Sequence, residues 1–144
     1  MSSDSIPPVI IDFHTHAFED SLAAKAIPFL EEEGHCKAAT DGRTSSLIAS
    51  MDRAGIDRAV VCPIATKPSH FDGIRRWARG VRDAQPRLEM LLSIHPDDPQ
   101  ALAHADETAA EGFKGVKFHP YYQKFVLDDE RLFPLYERLA ARGL

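Results

Sequence analysis

The chain has 144 residues, of which 44% are hydrophobic and 27% charged, a composition typical of a single globular domain. Its net charge of −5 at pH 7 argues against nucleic acid or an anionic membrane surface as a partner. With two cysteines, no signal peptide and no apolar run long enough to cross a bilayer, the expected location is the cytoplasm.

Residues 1–8 are expected to form an N-terminal tail, and residues 9–144 one α/β domain. Four nearly continuous apolar runs predict strands that are covered on both faces, as in a parallel sheet. These strands are predicted over residues 9–13, 57–64, 88–96 and 113–120.

Helical spacing of apolar residues marks the stretches between and after these strands. Helices are predicted over residues 44–55, 71–84, 99–112 and 132–139, and the second of these has the weakest pattern. On the third we expect Leu102, Ala105 and Ala109 to form the buried face. Gly55, Gly112 and Gly143 are each followed by an apolar residue, which predicts a left-handed helix end.

The order of elements is a β–α unit repeated four times, which predicts right-handed crossovers and a parallel sheet. Four such units form either a small doubly wound domain or the N-terminal half of a (βα)8 TIM barrel. No glycine-rich loop follows the first strand, so dinucleotide binding is disfavoured.

The first strand ends in "DFHTH", with His14 and His16 two residues apart. Residues at this spacing project from the same face of a strand, so both imidazoles can ligate one metal ion. Asp12 lies on that face as well and is predicted to hold an imidazole N–H, which would fix the tautomer of the ring. The simpler alternative is that all three are ordinary polar residues at a strand end.

The fourth predicted strand contains "GVKFHP", where Lys117 and His119 alternate with Val116 and Phe118. Lys117 and His119 therefore share one face and are predicted to be catalytic. For Lys117 an equally good alternative is a charged side chain that extends out of the strand end into water. His95, in "SIHP", occupies the corresponding place on the third strand, where a structural role is as good an explanation.

Tyr121, Tyr122 and Gln123 follow the fourth strand, and Tyr121 and Gln123 are predicted to bind substrate. The competing explanation is that they only cover the edge of the sheet. Cys62 is expected in the core. The remaining histidines are expected in exposed, structural positions: His35, His70 and His104.

The segments "IDFHTH", "SIHPDDP" and "GFKGVKFHPYYQKF" together resemble the amidohydrolase-related family, also called amidohydrolase family 2, from residue 9 to 144. This resemblance implies a TIM-barrel enzyme in which His14 and His16 bind a divalent metal, with zinc expected. It also offers Lys117 as the counterpart of the carboxylated lysine that bridges two metals in other superfamily members. The remaining metal and catalytic residues of the family lie on later strands, so the chain is expected to be an incomplete enzyme, inactive by itself.

The leading functional prediction is metal-assisted hydrolysis of a small amide, lactone or ester. One alternative is non-oxidative decarboxylation of a small aromatic or unsaturated acid, which the same resemblance includes. Another is a non-catalytic half-barrel, either self-associating or paired with a missing C-terminal half. A TatD-like nuclease fits less well, because the chain is acidic and the segment "GVKFHP" lacks a glutamate. A PHP-type phosphoesterase would need additional histidine clusters early in the chain, which the sequence does not show.

Overall fold

The structure, a computed structural model, describes residues 8–144, so only Pro8 of the predicted tail lies among the described residues. The chain divides into two compact units, Met1–Val60 and Val61–Leu144. The strands are β1 (Ile11–Thr15), β2 (Arg58–Val61) and β3 (Leu88–Met90). The α-helices are α1 (Asp20–Gly34), α2 (Thr44–Ala54), α3 (Phe71–Ala84), α4 (Ala101–Ala110), α5 (Pro120–Gln123) and α6 (Phe133–Ala141). Short 3-10 helices precede α3 and α6, at Pro68–His70 and Glu130–Leu132.

In the first unit, β1 lies beside β2 and runs parallel to it. The carbonyl oxygen of Ile10 accepts hydrogen bonds from the backbone N–H groups of Asp57 and Arg58, at 3.0 and 3.2 Å. Five residues further on, the Thr15 hydroxyl donates to the Val60 carbonyl at 2.8 Å. The bonds advance in the same direction along both strands, as a parallel pair requires.

Helix α1 was not predicted, although it is the longest helix among residues 8–144. It contains Pro28, whose ring and missing N–H normally interrupt a helix, so the sequence pattern there does not favour one. Leu22 and Phe29 on this helix are about half exposed, and Ala23 is its buried residue. The apolar side chains of α1 therefore do not form the single stripe on which a helix prediction depends.

In the second unit, the end of β2 continues to pair with the chain after β3. The N–H of Leu91 donates to the Val61 carbonyl at 3.1 Å. Leu92 then bonds to both Gly115 and Lys117, at 3.2 and 2.7 Å, which is the ladder of a parallel pair. The predicted fourth strand is reduced to this one bridge, between Leu92 and Val116, and Pro120, which lacks an N–H, begins α5.

The predicted helix ends at Gly55, Gly112 and Gly143 are confirmed. Their φ angles are 66°, 78° and 72°, in the left-handed region that glycine adopts without steric cost. The apolar residue after each glycine donates its N–H to the carbonyl five residues earlier, at 2.9, 3.2 and 3.0 Å. The same capping motif therefore ends α2, α4 and α6.

The buried face of α4 differs from the predicted one. His104, Ala105 and Thr108 are buried, whereas Leu102 is 41% exposed. The expectation of an exposed His104 was wrong, because its Nδ1 lies 2.7 Å from Oδ2 of buried Asp98 and its ring stacks 3.8 Å from that of Phe71. Hydrogen bonding and stacking together make a polar side chain acceptable in the core.

The two cysteines are not bonded to each other, and Cys62 is buried as expected. Among the described residues, none of the helices combines the length and the apolar character that a membrane crossing requires.

Candidate functional site

The end of β1 presents two histidines on one side of the first unit. His14 and His16 are exposed, while Thr15 between them is 7% exposed and bonded to β2. This alternation places both imidazoles on the face opposite Thr15. Their ring centroids are 5.0 Å apart, with the ring planes tilted by 57°.

The spacing of the two rings fits a shared metal ion. An ion bound at about 2.0–2.1 Å by one nitrogen of each ring, at near-tetrahedral or right angles, would place the centroids roughly 4.5–5.2 Å apart. The observed 5.0 Å lies within this range. Neutral imidazole nitrogens are common ligands of zinc and other divalent transition metals, so the donor chemistry also fits.

Asp12 contacts the histidine pair through the main chain. Its carboxylate Oδ1 accepts a hydrogen bond from the backbone N–H of His14 at 3.2 Å, and its side chain is half-buried. This bond fixes the backbone at the first histidine. The predicted bond from Asp12 to an imidazole stays a prediction.

Within residues 8–144, no group of three or more His, Cys, Asp or Glu side chains is arranged to hold a metal ion. The pair of His14 and His16 therefore offers two protein ligands, whereas a catalytic zinc usually has three and an open position. A complete metal centre would need at least one additional ligand.

In the second unit, the predicted catalytic residues lie at the end of the fourth run. Lys117 and His119 are half-buried. The ring of Phe118 packs edge-on against those of Phe125 and Tyr136, each with centroids 6.0 Å away. Phe118 thus faces the packed side of this run, as its alternation with Lys117 and His119 predicts.

Gln123 is buried, with 2% of its surface exposed. Its Nε2 donates to the carbonyl oxygens of Ala65 and Ile94, both at 3.0 Å. Its Oε1 accepts from the backbone N–H of His119 at 2.7 Å. Both amide N–H donors of Gln123 are thus used within the protein, and its predicted contact with substrate stays a prediction.

Sequence reasoning did not single out Ser93, which is fully buried. Its hydroxyl accepts a hydrogen bond from the Ala65 N–H at 3.0 Å and donates to the Lys117 carbonyl at 2.8 Å. The sequence feature that could have indicated Ser93 is its position as a lone hydroxyl inside the apolar run "LLSI". A polar group at such a place has to find internal partners.

The rings of His95 and His119 are held in the same way. Nδ1 of His95 accepts from the Asp97 N–H at 3.1 Å, and Nδ1 of His119 accepts from the Tyr122 N–H at 3.4 Å. The ring of His95 is buried.

Tyr121, two residues after His119, is 62% exposed. This exposure suits the predicted role of Tyr121 in substrate binding, which stays a prediction.

Comparison with known proteins identifies one family. Residues 11–144 match the amidohydrolase family 2 model. The fold resembles the crystal structure of 5-carboxyvanillate decarboxylase from Novosphingobium aromaticivorans, a variant with bound manganese and 3-methoxy-4-hydroxy-5-nitrobenzoic acid. The TM-score is 0.69 at 16% sequence identity, over 94% of this chain and 49% of that protein. No curated protein matches the sequence. The predicted fold class, an α/β chain that forms the N-terminal half of a TIM barrel, agrees with both findings.

Proposed function

The chain belongs to amidohydrolase family 2, and from that premise we propose that it carries the metal-binding strand of an enzyme acting on a small carbonyl compound. The leading reaction is hydrolysis of an amide, lactone or ester. The observation that carries the proposal is the pair of exposed imidazoles on one face of β1, 5.0 Å apart.

In this proposal His14 and His16 hold a divalent cation, and Asp12 fixes the backbone of the first ligand. Such a cation polarises a carbonyl and makes water a stronger nucleophile near neutral pH. The ammonium group of Lys117 and the imidazole of His119 bind the oxygen atoms of the substrate. The third metal ligand and the general base come from a segment other than residues 8–144.

Decarboxylation of a small aromatic or unsaturated acid is the second candidate. It is supported by the fold likeness to a decarboxylase crystallised with manganese. At 16% identity this likeness concerns the fold, so it supports the candidate without ranking it above hydrolysis. The metal is accordingly proposed as zinc, with manganese as the alternative.

The chain spans about half the length of the decarboxylase that it matches. The activity is therefore proposed for the whole protein, and the 144-residue chain is expected to be inactive alone. A non-catalytic module, or a self-associating half-barrel, is the competing proposal. It predicts that metal binding is absent or has no consequence for activity.

We also propose a cytoplasmic location. Cys36 is exposed and Cys62 buried, and neither forms a disulfide. An exposed thiol is most stable in a reducing compartment, where glutathione and thioredoxin keep cysteines reduced.

Calorimetric titration of the metal-free chain with Zn²⁺ and Mn²⁺ tests the metal site. We expect one bound ion, with His14→Ala and His16→Ala each weakening binding more than Asp12→Asn, because the asparagine Oδ1 can still accept from the His14 N–H. His35→Asn is the matched control, because His35 is exposed and asparagine tolerates its left-handed backbone at φ 49°. Equal binding by the wild type and the doubly substituted His14→Ala, His16→Ala variant would refute the site.

The reaction is tested on the natural gene product with panels of lactones, amides and aromatic carboxylates, monitoring acid release and CO2 separately. Turnover of lactones or amides that is lost in His14→Ala supports hydrolysis. Turnover of the aromatic acids alone, with CO2 release, would replace it with decarboxylation. No turnover on either panel by a metal-loaded product would favour the non-catalytic module.

A further inference from the structure

A buried polar network joins three strand ends of the second unit around Ala65. The Ala65 N–H donates to Ser93 Oγ at 3.0 Å, and the Ala65 carbonyl accepts from Gln123 Nε2 at 3.0 Å. Ser93, Ala65 and Gln123 are all at most 2% exposed. Burying such polar groups is costly unless each is hydrogen-bonded, and here they bond to one another.

The partners of Gln123 leave one orientation for its side-chain amide. The carbonyl oxygens of Ala65 and Ile94 are acceptors, so only the NH2 group can face them. The backbone N–H of His119 is a donor, so only Oε1 can face it. The Gln123 N–H in turn donates to the His119 carbonyl at 2.9 Å. Gln123 therefore holds both backbone polar groups of His119.

With its backbone held, His119 caps the first turn of α5 with its ring. Nδ1 accepts from the Tyr122 N–H, and an imidazole nitrogen that accepts from a backbone N–H carries no proton. In the neutral ring the proton is then on Nε2, which makes that nitrogen a hydrogen-bond donor. The proline after His119 removes a competing backbone donor at the first position of the turn.

We propose that Gln123, supported by Ser93, is a positioning residue that fixes His119 as the Nε2-protonated tautomer, so that His119 donates a hydrogen bond to substrate and is not a proton acceptor. A hydrogen-bond donor with a fixed direction can stabilise a substrate oxygen atom that gains negative charge during the reaction. The role of His119 toward substrate rests on the proposed function, whereas its tautomer and the action of Gln123 do not.

The first experiment measures the tautomer without metal or substrate. Long-range ¹H–¹⁵N spectra of the labelled chain, above pH 7.5, are expected to show His119 entirely as the Nε2–H form. Exposed His35 serves as the internal reference for a ring that samples both tautomers. An Nδ1–H form of His119, or a mixture like that of His35, would overturn the proposal.

Gln123→Met keeps the length of the side chain but removes its hydrogen bonds, and Gln123→Glu keeps an acceptor for the His119 N–H but loses the donors to Ala65 and Ile94. We expect mixed tautomers of His119 in both variants, and no change in Gln100→Met, which alters an exposed glutamine. An unchanged His119 signal in a folded Gln123→Met variant would refute the positioning role. If that variant does not fold, the tautomer measured in the wild type decides.

The substrate role is tested by rescue in the active gene product. The side-chain amide nitrogen of His119→Gln reaches the position of Nε2, while that of His119→Asn reaches the position of Nδ1. Donation from Nε2 predicts at least 10-fold higher kcat/KM for the glutamine variant than for the asparagine variant. An equal loss of kcat/KM in both variants would exclude donation to substrate, even if the spectra show His119 as the Nε2-protonated tautomer.

Discussion

Two histidine-ending apolar runs, residues 9–16 in the first unit and 88–95 in the second, look alike in sequence and differ in burial. Val9, Ile11 and Phe13 are each more than half exposed, and Phe13 reaches 76%. In the second run, Ser93 and Ile94 are completely buried. The same pattern of residues therefore forms an open strand in one unit and a covered one in the other.

The difference shows how each run can serve a site. In the open run, residues 9–16, the imidazoles of His14 and His16 lie exposed on one face, where an ion can reach them. In the covered run, residues 88–95, the Ser93 hydroxyl joins the neighbouring segments at Ala65 and Lys117, and Nδ1 of His95 accepts from the N–H of Asp97 nearby in the chain.

The largest effect is expected from truncating the covered run. Ile94→Ala should lower the free energy of unfolding by about 2–5 kcal/mol, because it leaves a cavity in a close-packed region. Ile11→Ala is the matched control in the open run, with an expected loss below about 1 kcal/mol. Urea unfolding followed by circular dichroism measures both. Similar losses in the two variants would contradict the difference in burial.

Removing the Ser93 hydroxyl should have the next largest effect. Ser93→Ala leaves the Ala65 N–H and the Lys117 carbonyl without their partner, at an expected cost of about 1–3 kcal/mol in unfolding free energy. Ser69→Ala, at an exposed serine, is the control and should be nearly neutral. A Ser93→Ala variant as stable as the wild type would show that water replaces the hydroxyl.

In the open run, the hydroxyl of Thr15 makes one hydrogen bond, to the carbonyl of Val60, where the Ser93 hydroxyl makes two. Thr15→Val keeps the shape of the side chain and should cost about 1 kcal/mol of unfolding free energy. Thr15→Ser keeps the hydroxyl and should retain the bond, although it loses a buried methyl group. If the serine variant is the less stable of the two, packing outweighs the hydrogen bond at this position.

The smallest effect is a dependence on pH. Partial burial, with help from Lys67 and His95, lowers the pKa of His70 below its usual 6.5. The folded protein therefore binds this proton less readily than the unfolded chain, so the stability contributed by neutral His70 is complete above pH 6.5 and is lost as the pH falls below it. Urea unfolding between pH 8 and pH 5 should show a flatter profile for His70→Asn. A steeper profile for that variant would reverse the sign of the shift.

Much of the fold could be predicted from local patterns. The glycine ends of α2, α4 and α6 follow from chemistry within six residues of each glycine, and α3 has the predicted bounds. The first strand has the predicted length but begins two residues later, at Ile11, and the other three were predicted too long. A ladder requires a partner at each position, and an apolar sequence does not show where pairing stops. Helix α1 was missed, since its stability does not come from a single apolar stripe.

The candidate site also has parts that local sequence patterns predict and parts that they do not. The shared face of His14 and His16 follows from the two-residue period of a strand, and the sequence predicts it directly. The role of Gln123 could not be predicted, because its partners Ala65 and Ile94 are 58 and 29 residues away in the chain. The same holds for His104, whose burial depends on contacts with Asp98 and Phe71.

The sequence by itself determined the family, the order of the strands and the two imidazoles that share one face of β1. These depend on local periodicity and on motifs within short stretches. Tertiary structure alone decided which apolar run is covered, which polar side chains are used up inside the protein, and which nitrogen of His119 carries the proton. The physical reason is that these contacts join residues far apart in the chain, and a local pattern does not show which distant residues will meet.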